Sequence, residues 1–297
     1  MNTLTHSPLA YAGSKHRALR WLLPLFSRDI NGFVDLFCGA ANVVANMADC
    51  GPRYANDANP AMIDIWRTLQ HYDPAGLERE VDRLIARWGL DSHDPATFNR
   101  FRDHYNTCGG SPVELFVLAV HSFNQQIRFN SAGAYNSSSG KAHHWFTPTG
   151  RENLRAFIPR IRDVEFTCSD FTVFDFTKLN ADGFVYADPP YTLGTAVYND
   201  RPHGTTPWTV DDDRRLFNLL DELGAHGIRF ALSNVMEHKG RNNEPLQEWV
   251  ESRGLLVYGI NIDYASCNYQ NRNRQHATQE VLVTNYRPDG FSQDTLF

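Results

Sequence analysis

The chain has 297 residues, of which 42% are hydrophobic and 21% charged, and its formal net charge is −6. This length suits one large α/β domain, or a catalytic core with one insertion, and the composition is that of an ordinary globular protein. No apolar run approaches the roughly 18 residues of a membrane span, and residues 1–10 lack the features of a signal peptide, so we expect a cytoplasmic protein without membrane contact.

The five cysteines lie far apart and include no Cys-x-x-Cys pair. An odd number at such spacing argues against a disulfide framework and against a zinc site. We therefore expect free thiols and no bound metal.

The first sixty residues predict alternating strands and helices. The apolar run at residues 33–37 predicts a buried strand, followed by a glycine turn at 38–41 and a helix at 42–49. Residues 53–57 predict a second strand that ends in an acid. Asn59-Pro60 then predicts the start of a helix through about residue 72, with the proline near its first position.

The middle of the chain interrupts this alternation, which resumes towards the C-terminus. Residues 74–125 predict mostly helical structure, and the polar, glycine-rich residues 130–150 predict a long loop or hairpin. Further strands are predicted at 164–166, 184–187 and 228–232, helices at 211–225 and 246–253, and a closing β-hairpin at 255–262 and 279–285. The pattern predicts an α/β fold with a doubly wound sheet and an inserted domain.

Two features at predicted strand ends favour a cofactor without a pyrophosphate. Gly39 follows the first strand, where a glycine lets the backbone approach a ligand, but no phosphate-cradling glycine spacing follows it. Asp57 ends the next strand, a position from which an acid accepts hydrogen bonds from ribose hydroxyls. Taken alone, each feature is equally compatible with an ordinary turn or helix cap.

The decisive feature is the tetrad Asp188-Pro189-Pro190-Tyr191, which directly follows the predicted strand at 184–187. Two prolines after a buried strand end its hydrogen-bonded ladder and hold the chain rigid. They fix the Asp188 carboxylate and the Pro189 carbonyl as two acceptors at the sheet edge, with the ring of Tyr191 beside them. This set suits a planar amino group on an aromatic ring.

Adenine N6 is such an amino group, and its lone pair is a poor nucleophile because it is delocalised into the ring. Two acceptors on its N–H groups draw the nitrogen towards tetrahedral geometry and stabilise the positive charge that develops during methyl transfer. Tyr191 can stack on the base once it is flipped out of a duplex. The tetrad therefore predicts methylation of adenine N6.

Taken together and in order, these motifs resemble the Dam family of adenine-N6 DNA methyltransferases, the α group or D12 class, and most of all its T-even phage branch. The segments that carry the resemblance are 10–15, 35–40, 56–57, 169–171, 188–191 and 232–240. The resemblance implies a seven-stranded, Rossmann-like methyltransferase sheet with an antiparallel last hairpin. It also implies S-adenosylmethionine as the cofactor.

Both the catalytic and the cofactor residues follow from this resemblance. The implied catalytic set is Asp188, Pro189, Pro190 and Tyr191, and the implied cofactor contacts are Tyr11, Lys15, Asp35, Phe37, Gly39, Asp57, Asp170, Phe171 and Asp188. Chemistry agrees, since an aromatic ring packs near a sulfonium and a carboxylate accepts from ribose hydroxyls. Ala41 stands where glycine is commoner in the family, and cofactor binding should survive this exchange if φ is negative there.

The resemblance further implies that residues 60–159 form a mostly helical target recognition domain with a β-hairpin, inserted into a catalytic domain of residues 1–59 and 160–297. The implied DNA contacts are Phe123, Asn124, Arg128 and Asn130. Arg128 can read a guanine through its O6 and N7, and Phe123 can fill the gap left by the flipped base. Residues 121–160 carry five basic residues against one acidic residue, which suits phosphates.

The expected partner is double-stranded DNA containing GATC or a related short site, although Ala10 stands where cellular Dam enzymes carry a base-reading lysine. An RNA adenine-N6 methyltransferase and a catalytically idle DNA-binding relative stay open as alternatives. A cytosine-C5 enzyme needs a Pro-Cys pair, and none occurs. No nuclease motif is evident, so the chain acts alone or beside a separate cognate endonuclease in restriction-modification.

Overall fold

A central β-sheet organises the chain, for which a computed structural model describes residues 4–9, 14–91, 93–140, 146–193, 207–260 and 278–289. The strands are β1 (Phe33–Asp35), β2 (Arg53–Asp57), β3 (Val164–Cys168), β4 (Phe184–Ala187), β5 (Arg229–His238), β6 (Arg241–Asn242), β7 (Leu256–Gly259) and β8 (Thr278–Thr284). Their order across the sheet is β3-β2-β1-β4-β5-β8-β7, and the two-residue β6 pairs with β5.

Strand direction confirms the predicted methyltransferase-like architecture. β1 to β5 are mutually parallel where they pair, whereas β8 runs antiparallel to both β5 and β7. Chain order reverses between β1 and β4, the point at which open α/β sheets bind ligands outside their carboxyl ends. The fold thus directs attention to the carboxyl edge of these two strands.

Helices cover both faces of the sheet. The described helices are α1 (Leu19–Leu22), α2 (Asn42–Asn46), α3 (Pro60–Leu69), α4 (Pro74–Trp88), α5 (Pro95–Cys108), α6 (Pro112–His121), α7 (Pro148–Ile161), α8 (Val210–Ala225) and α9 (Glu244–Arg253). Apolar side chains from α1 to α7 form one buried cluster on one face, and those of α8 and α9 form a second cluster on the other. No helix in the described part of the chain is long and apolar enough to cross a bilayer.

A recurring local signal starts the helices of the middle segment. Each helix from α3 to α7 begins with a side chain that caps a backbone N–H and is followed at once by a proline. The caps are Asn59, Asp73, Asp94, Ser111 and Thr147. Proline suits the first helical position because its missing N–H would have no partner there and its φ is already helical.

Strand β1 and helices α2 and α3 end two or three residues earlier than predicted, and two further elements differ more. Helix α7 was not predicted, since Gly150 and Pro159 discourage a helix, yet Leu154, Phe157 and Ile158 bury one of its faces at helical spacing. Strand β5 is twice as long as predicted, because after its last pairing with β4 it continues along β8 through a bulge near Val235. A polar stretch can stay extended when a neighbouring strand satisfies its backbone groups.

The predicted loop or hairpin at 130–150 begins earlier in the structure, at residue 122. Antiparallel bridges join Ser122 to Ser139 and Phe129 to Tyr135. The amide side chain of Asn106 on α5 holds this hairpin, since it donates to the Tyr135 carbonyl at 2.9 Å and accepts from the Tyr135 N–H at 2.8 Å. We call residues 122–140 the recognition hairpin.

The boundaries of the inserted domain stay a prediction. Helix α3 packs on β2 and β3, and α7 packs on α2, so both ends of the proposed insert contact elements of the proposed catalytic domain. Between α4 and α7, Glu78 forms ion pairs with Arg151 and Arg155 at 3.3 and 2.7 Å. The segment is therefore packed on the rest of the chain at both ends, and ion pairs join two of its own helices.

Asn56 joins the carboxyl ends of three strands. Its buried amide donates to the carbonyls of Leu36 and Ser169, at 3.2 and 3.0 Å, and its oxygen accepts from the hydroxyls of Thr167 and Ser169, at 3.0 and 2.9 Å. No role of its own was predicted for Asn56, which was noted only as the residue before Asp57. Because these four bonds satisfy the amide, Asn56 fixes the spacing of the site described below.

Asn56→Ala should destabilise the chain by about 2 to 4 kcal/mol, because it leaves buried carbonyls and hydroxyls without partners. Urea unfolding measures this loss. Thr167→Ser is the matched control, since it keeps the hydroxyl that donates to Asn56, and it should cost less than about 1 kcal/mol. Equal losses in the two variants would contradict this role.

Candidate active site

Four neighbouring parallel strands each bring an aspartate to the same edge of the sheet. These residues are Asp35 at the end of β1, Asp57 at the end of β2, Asp170 shortly after β3 and Asp188 directly after β4. The charges of Asp188 and Asp57 act on Asp35. Three of the predicted acids are therefore brought together near the point where the strand order reverses, and Asp170 lies farther along the same edge.

Asp188 lies at the centre of a small cluster of polar groups. The Lys15 ammonium contacts its Oδ1 at 2.8 Å, and the Tyr191 hydroxyl donates to the same oxygen at 2.9 Å. The ammonium also lies 5.0 Å from the centre of the Tyr191 ring. Burial, followed by the Asp188 charge, holds the pKa of Tyr191 well above its ordinary value, so its hydroxyl remains a donor.

For Lys15, the resemblance implied only a contact with the cofactor, whereas the structure also joins it to the tetrad. Its side chain is 9% exposed, and its ammonium forms an ion pair with the similarly little exposed Asp188. Pro189 is buried and Pro190 partly exposed, as expected of a rigid strand exit. Tyr11, predicted to contact the cofactor, lies outside the described residues.

The turn after β1 is fixed to the acid after β2. The Gly39 N–H donates to Asp57 Oδ2 at 2.9 Å, and the Asn59 N–H donates to Oδ1 at 2.8 Å. On its other side, the Gly39 carbonyl accepts from the Trp66 indole at 2.8 Å. Hydrogen bonds thus hold Gly39 through both its N–H and its carbonyl, and two backbone N–H groups orient the Asp57 carboxylate.

Backbone conformation in this turn is left-handed at both Gly39 and Ala41, with φ of +44° and +55°. The condition that φ be negative at Ala41 is therefore not met. A left-handed alanine costs roughly 1 to 2 kcal/mol, and here the tight bond from its N–H to the Cys38 carbonyl maintains it. The turn keeps the shape that glycine usually provides.

Three aromatic rings meet beside this turn. Phe37 and Phe171, both predicted, have ring centroids 5.5 Å apart, and Trp208 lies 5.7 Å from the first and 5.6 Å from the second. Arg215 covers the Phe171 ring at 5.1 Å and pairs with Asp170 at 3.0 Å. Trp208 and Arg215 were not singled out in the sequence, since they belong to a later segment that only the fold brings here.

Asp35 differs from the other acids because it is fully buried. Its Oδ2 accepts from the Val44 N–H at 3.2 Å. Burial above all, and then the Asp188 and Asp57 charges, raise its pKa to about 8 against that hydrogen bond. Its predicted contact with the cofactor stays a prediction, since the side chain lies beneath the surface of the site.

The four predicted DNA contacts all lie on the recognition hairpin. Phe123 is 43% exposed, and Asn124 and Arg128 are also exposed. The side-chain oxygen of Asn130 accepts from the N–H groups of Ala132 and Ala134, at 3.0 and 2.9 Å, so it shapes the hairpin tip. The side chains of Phe123, Asn124 and Arg128 are thus accessible to a binding partner.

Among the described residues, no group of three or more His, Cys, Asp or Glu side chains is arranged to hold a metal ion. The polar groups at the sheet edge are instead single acceptors, an ammonium and aromatic rings. This donor set fits an organic cofactor with hydroxyl groups and a flat ring.

Replacing Asp35 by Asn should flatten part of the pH dependence of stability. The pKa of Asp35 is about 8 in the folded state, against an ordinary 3.8. Between these two pH values Asp35 carries a proton in the folded chain but not in the unfolded chain. Its contribution to the free energy of unfolding is therefore lost as pH rises through about 8. Urea unfolding at pH 5, 7 and 9 measures the slope. Equal slopes for both proteins would contradict the shifted pKa.

Comparison with known proteins shows the family to which this chain belongs. Residues 11–261 match the family described as D12 class N6 adenine-specific DNA methyltransferase. Modification methylase StsI of Streptococcus sanguinis is 39% identical over 292 residues, and type II methyltransferase M.FokI of Planomicrobium okeanokoites is 35% identical over 287. These matches cover 96% of this chain but 44% and 43% of those proteins.

A DNA N-6-adenine-methyltransferase of Escherichia phage P1 is 26% identical over 75% of this chain and 29% of its own length. The stronger matches are modification methylases, so the expected likeness to T-even phage enzymes in particular is not supported. The chain spans less than half the length of the modification methylases it matches. Since the family match covers most of the chain, the chain belongs to the D12 class of N6-adenine-specific DNA methyltransferases, whose methyl donor is S-adenosylmethionine.

Proposed function

We propose that this chain methylates N6 of a flipped adenine in duplex DNA. The observation that carries the proposal is the Asp188 carboxylate, which a proline pair, Lys15 and Tyr191 hold at the edge of the sheet. Both described contacts to this carboxylate go to Oδ1. Its Oδ2 is therefore the oxygen that accepts a hydrogen bond from the adenine amino group, together with the Pro189 carbonyl.

The neighbouring residues fit S-adenosylmethionine. Asp57, oriented by two backbone N–H groups, accepts from the ribose hydroxyls, and the aromatic cluster around Phe171 and Trp208 offers a face for the adenine. Asp170 accepts from the amino group of that ring. The bound cofactor supplies an electrophilic methyl group, and the acids at this edge complement its positive sulfur.

Catalysis by the chain itself is then a matter of placement and charge. Asp188 and the Pro189 carbonyl polarise the amino nitrogen and stabilise the positive charge that it gains, without moving during the reaction. Lys15 and Tyr191 fix the carboxylate for this task. The Tyr191 ring, which is only partly buried, gives the flipped base a flat surface.

The recognition hairpin supports DNA as the substrate. Asn106 clamps its backbone, which keeps the exposed Phe123 and Arg128 on a rigid support. Base reading in the major groove needs such rigidity, because a bidentate arginine contact tolerates little displacement. We propose GATC or a related short site as the target. We retain RNA as the alternative substrate that the experiment below tests.

The named relatives suggest a biological setting. StsI is called a modification methylase, and M.FokI a type II methyltransferase. We propose that this chain likewise protects DNA in a restriction-modification system, with a separate endonuclease as its partner.

Asp188→Ala should lower methyl transfer by on the order of 10²- to 10³-fold or more, while binding of S-adenosylmethionine and DNA stays measurable. Radiolabelled cofactor is incubated with duplex DNA and RNA libraries, and modified bases are mapped. Asp182→Asn, an exposed acid before β4, is the control and should keep full activity. Undiminished transfer by the Asp188 variant would refute the mechanism, and labelling of RNA alone would favour the alternative.

Arg128→Ala should relax discrimination at one guanine of the target by about 10- to 100-fold, since a bidentate base contact contributes roughly 1 to 3 kcal/mol. Rates on sites with single substitutions measure the change. Arg100→Ala removes an exposed arginine from α5, outside the hairpin, and should leave the preference intact. A uniform loss across all sites would instead make Arg128 a phosphate contact.

A further inference from the structure

Asp213 is a buried carboxyl group that the mechanism above does not use. It lies in the first turn of α8 and is fully inaccessible to solvent. Its Oδ1 accepts from the Trp208 indole N–H at 2.7 Å. A hydrogen bond from the Thr192 side chain also favours its ionised form, although burial, the largest effect, raises its pKa above the ordinary value.

The two partners of Asp213 belong to different parts of the site. Thr192 directly follows Tyr191 of the tetrad. Trp208 is the third ring of the aromatic cluster and lies 5.7 Å from Phe37. One carboxyl group therefore contacts both the continuation of the catalytic tetrad and the wall of the cofactor pocket.

The adjacent acids of the same turn show that helix capping does not account for Asp213. Asp212 forms the capping box with Thr209, and Asp211 pairs with Arg214 at 2.9 Å on the surface. Asp213 instead points inward, and its Oδ2 has no hydrogen-bond partner among the described residues. A buried carboxyl with incomplete bonding is destabilising, and an apolar residue would pack there at lower cost.

We propose that Asp213 is a positioning residue that holds the cofactor pocket in register with the catalytic tetrad. Through Thr192 it fixes the chain just beyond Tyr191, and through Trp208 it fixes the ring that faces Phe37 and Phe171. The inference rests on the proposed methyl transfer. The inference assigns a role to Asp213, which neither caps α8 nor forms an ion pair on its surface.

Variants that each remove one hydrogen bond of Asp213 separate its contact with Thr192 from its contact with Trp208. Thr192→Val removes the hydroxyl and should lower kcat by about tenfold with little change in the Kd for S-adenosylmethionine, since a single hydrogen bond contributes about this much. Trp208→Phe keeps a ring but removes the N–H, and should raise the Kd by about tenfold, more than it lowers kcat. Asp213→Leu should change both quantities.

Two further variants serve as rescue and control. Asp213→Asn keeps an oxygen that accepts from Trp208, and it should restore the Kd towards the wild-type value more fully than kcat. Asp211→Asn removes the same charge from the same helix turn without touching Thr192 or Trp208, and should leave both constants unchanged. Cofactor Kd is measured by equilibrium dialysis, and kcat on duplex DNA under saturation.

The outcomes distinguish this inference from the proposed function. If the wild-type protein binds S-adenosylmethionine but methylates no DNA, the proposed function fails, while the effect of Trp208→Phe on Kd still reports on Asp213. If Asp213→Leu folds and keeps both constants, the acid is only a core residue and the inference is overturned. Should that variant not fold, unchanged constants in Thr192→Val and Trp208→Phe overturn it equally.

Discussion

Burial of an acid at the edge of the sheet is the constraint on which this site depends. Parallel strands end at one edge, so the charges of Asp57 and Asp188 act on the fully buried Asp35. Burial above all, and then these like charges, disfavours the ionised form of Asp35. The other two acids are held by specific partners: two backbone N–H groups donate to Asp57, and an ammonium and a tyrosine hydroxyl contact Asp188.

That arrangement also explains why Lys15 is central. Without the ammonium, the Asp188 carboxylate would keep only the Tyr191 hydroxyl as a described partner, and its orientation would be less well defined. With the ammonium and the Tyr191 hydroxyl on one oxygen, the carboxylate has a fixed orientation. Charge balance and geometric precision therefore come from the same contacts.

Local sequence patterns predicted much of this architecture. Strands β2 and β4 have the predicted bounds, because glycine and proline lie close to both ends of each short strand and such local signals depend little on distant contacts. Helix α7 was missed because Gly150 and Pro159 oppose it locally, whereas the packing of Phe157 against Trp66 favours it. The length of β5 depends on β8, which lies some fifty residues later in the chain.

In the site, too, local patterns could be predicted and contacts between distant segments could not. The tetrad, the glycine turn and Asp57 were recognisable because each lies at a strand end and has its own local pattern. The network of Asn56 and the contact between Trp208 and Phe37 could not be predicted, since they join segments separated by many residues. Sequence patterns thus identified groups for the chemistry, and the fold alone showed how they are held.

The cap-and-proline starts of helices α3 to α7 have a consequence for the unfolded chain. A proline restricts its own φ and disfavours the helical region for the residue before it, even without tertiary contacts. Each one therefore removes conformations that folding would otherwise have to exclude, an effect of about 0.4 to 1 kcal/mol where the native backbone accepts it. Five helix boundaries are thus partly defined before the chain collapses, which lowers the entropy lost when the hairpin and its supporting helices become ordered.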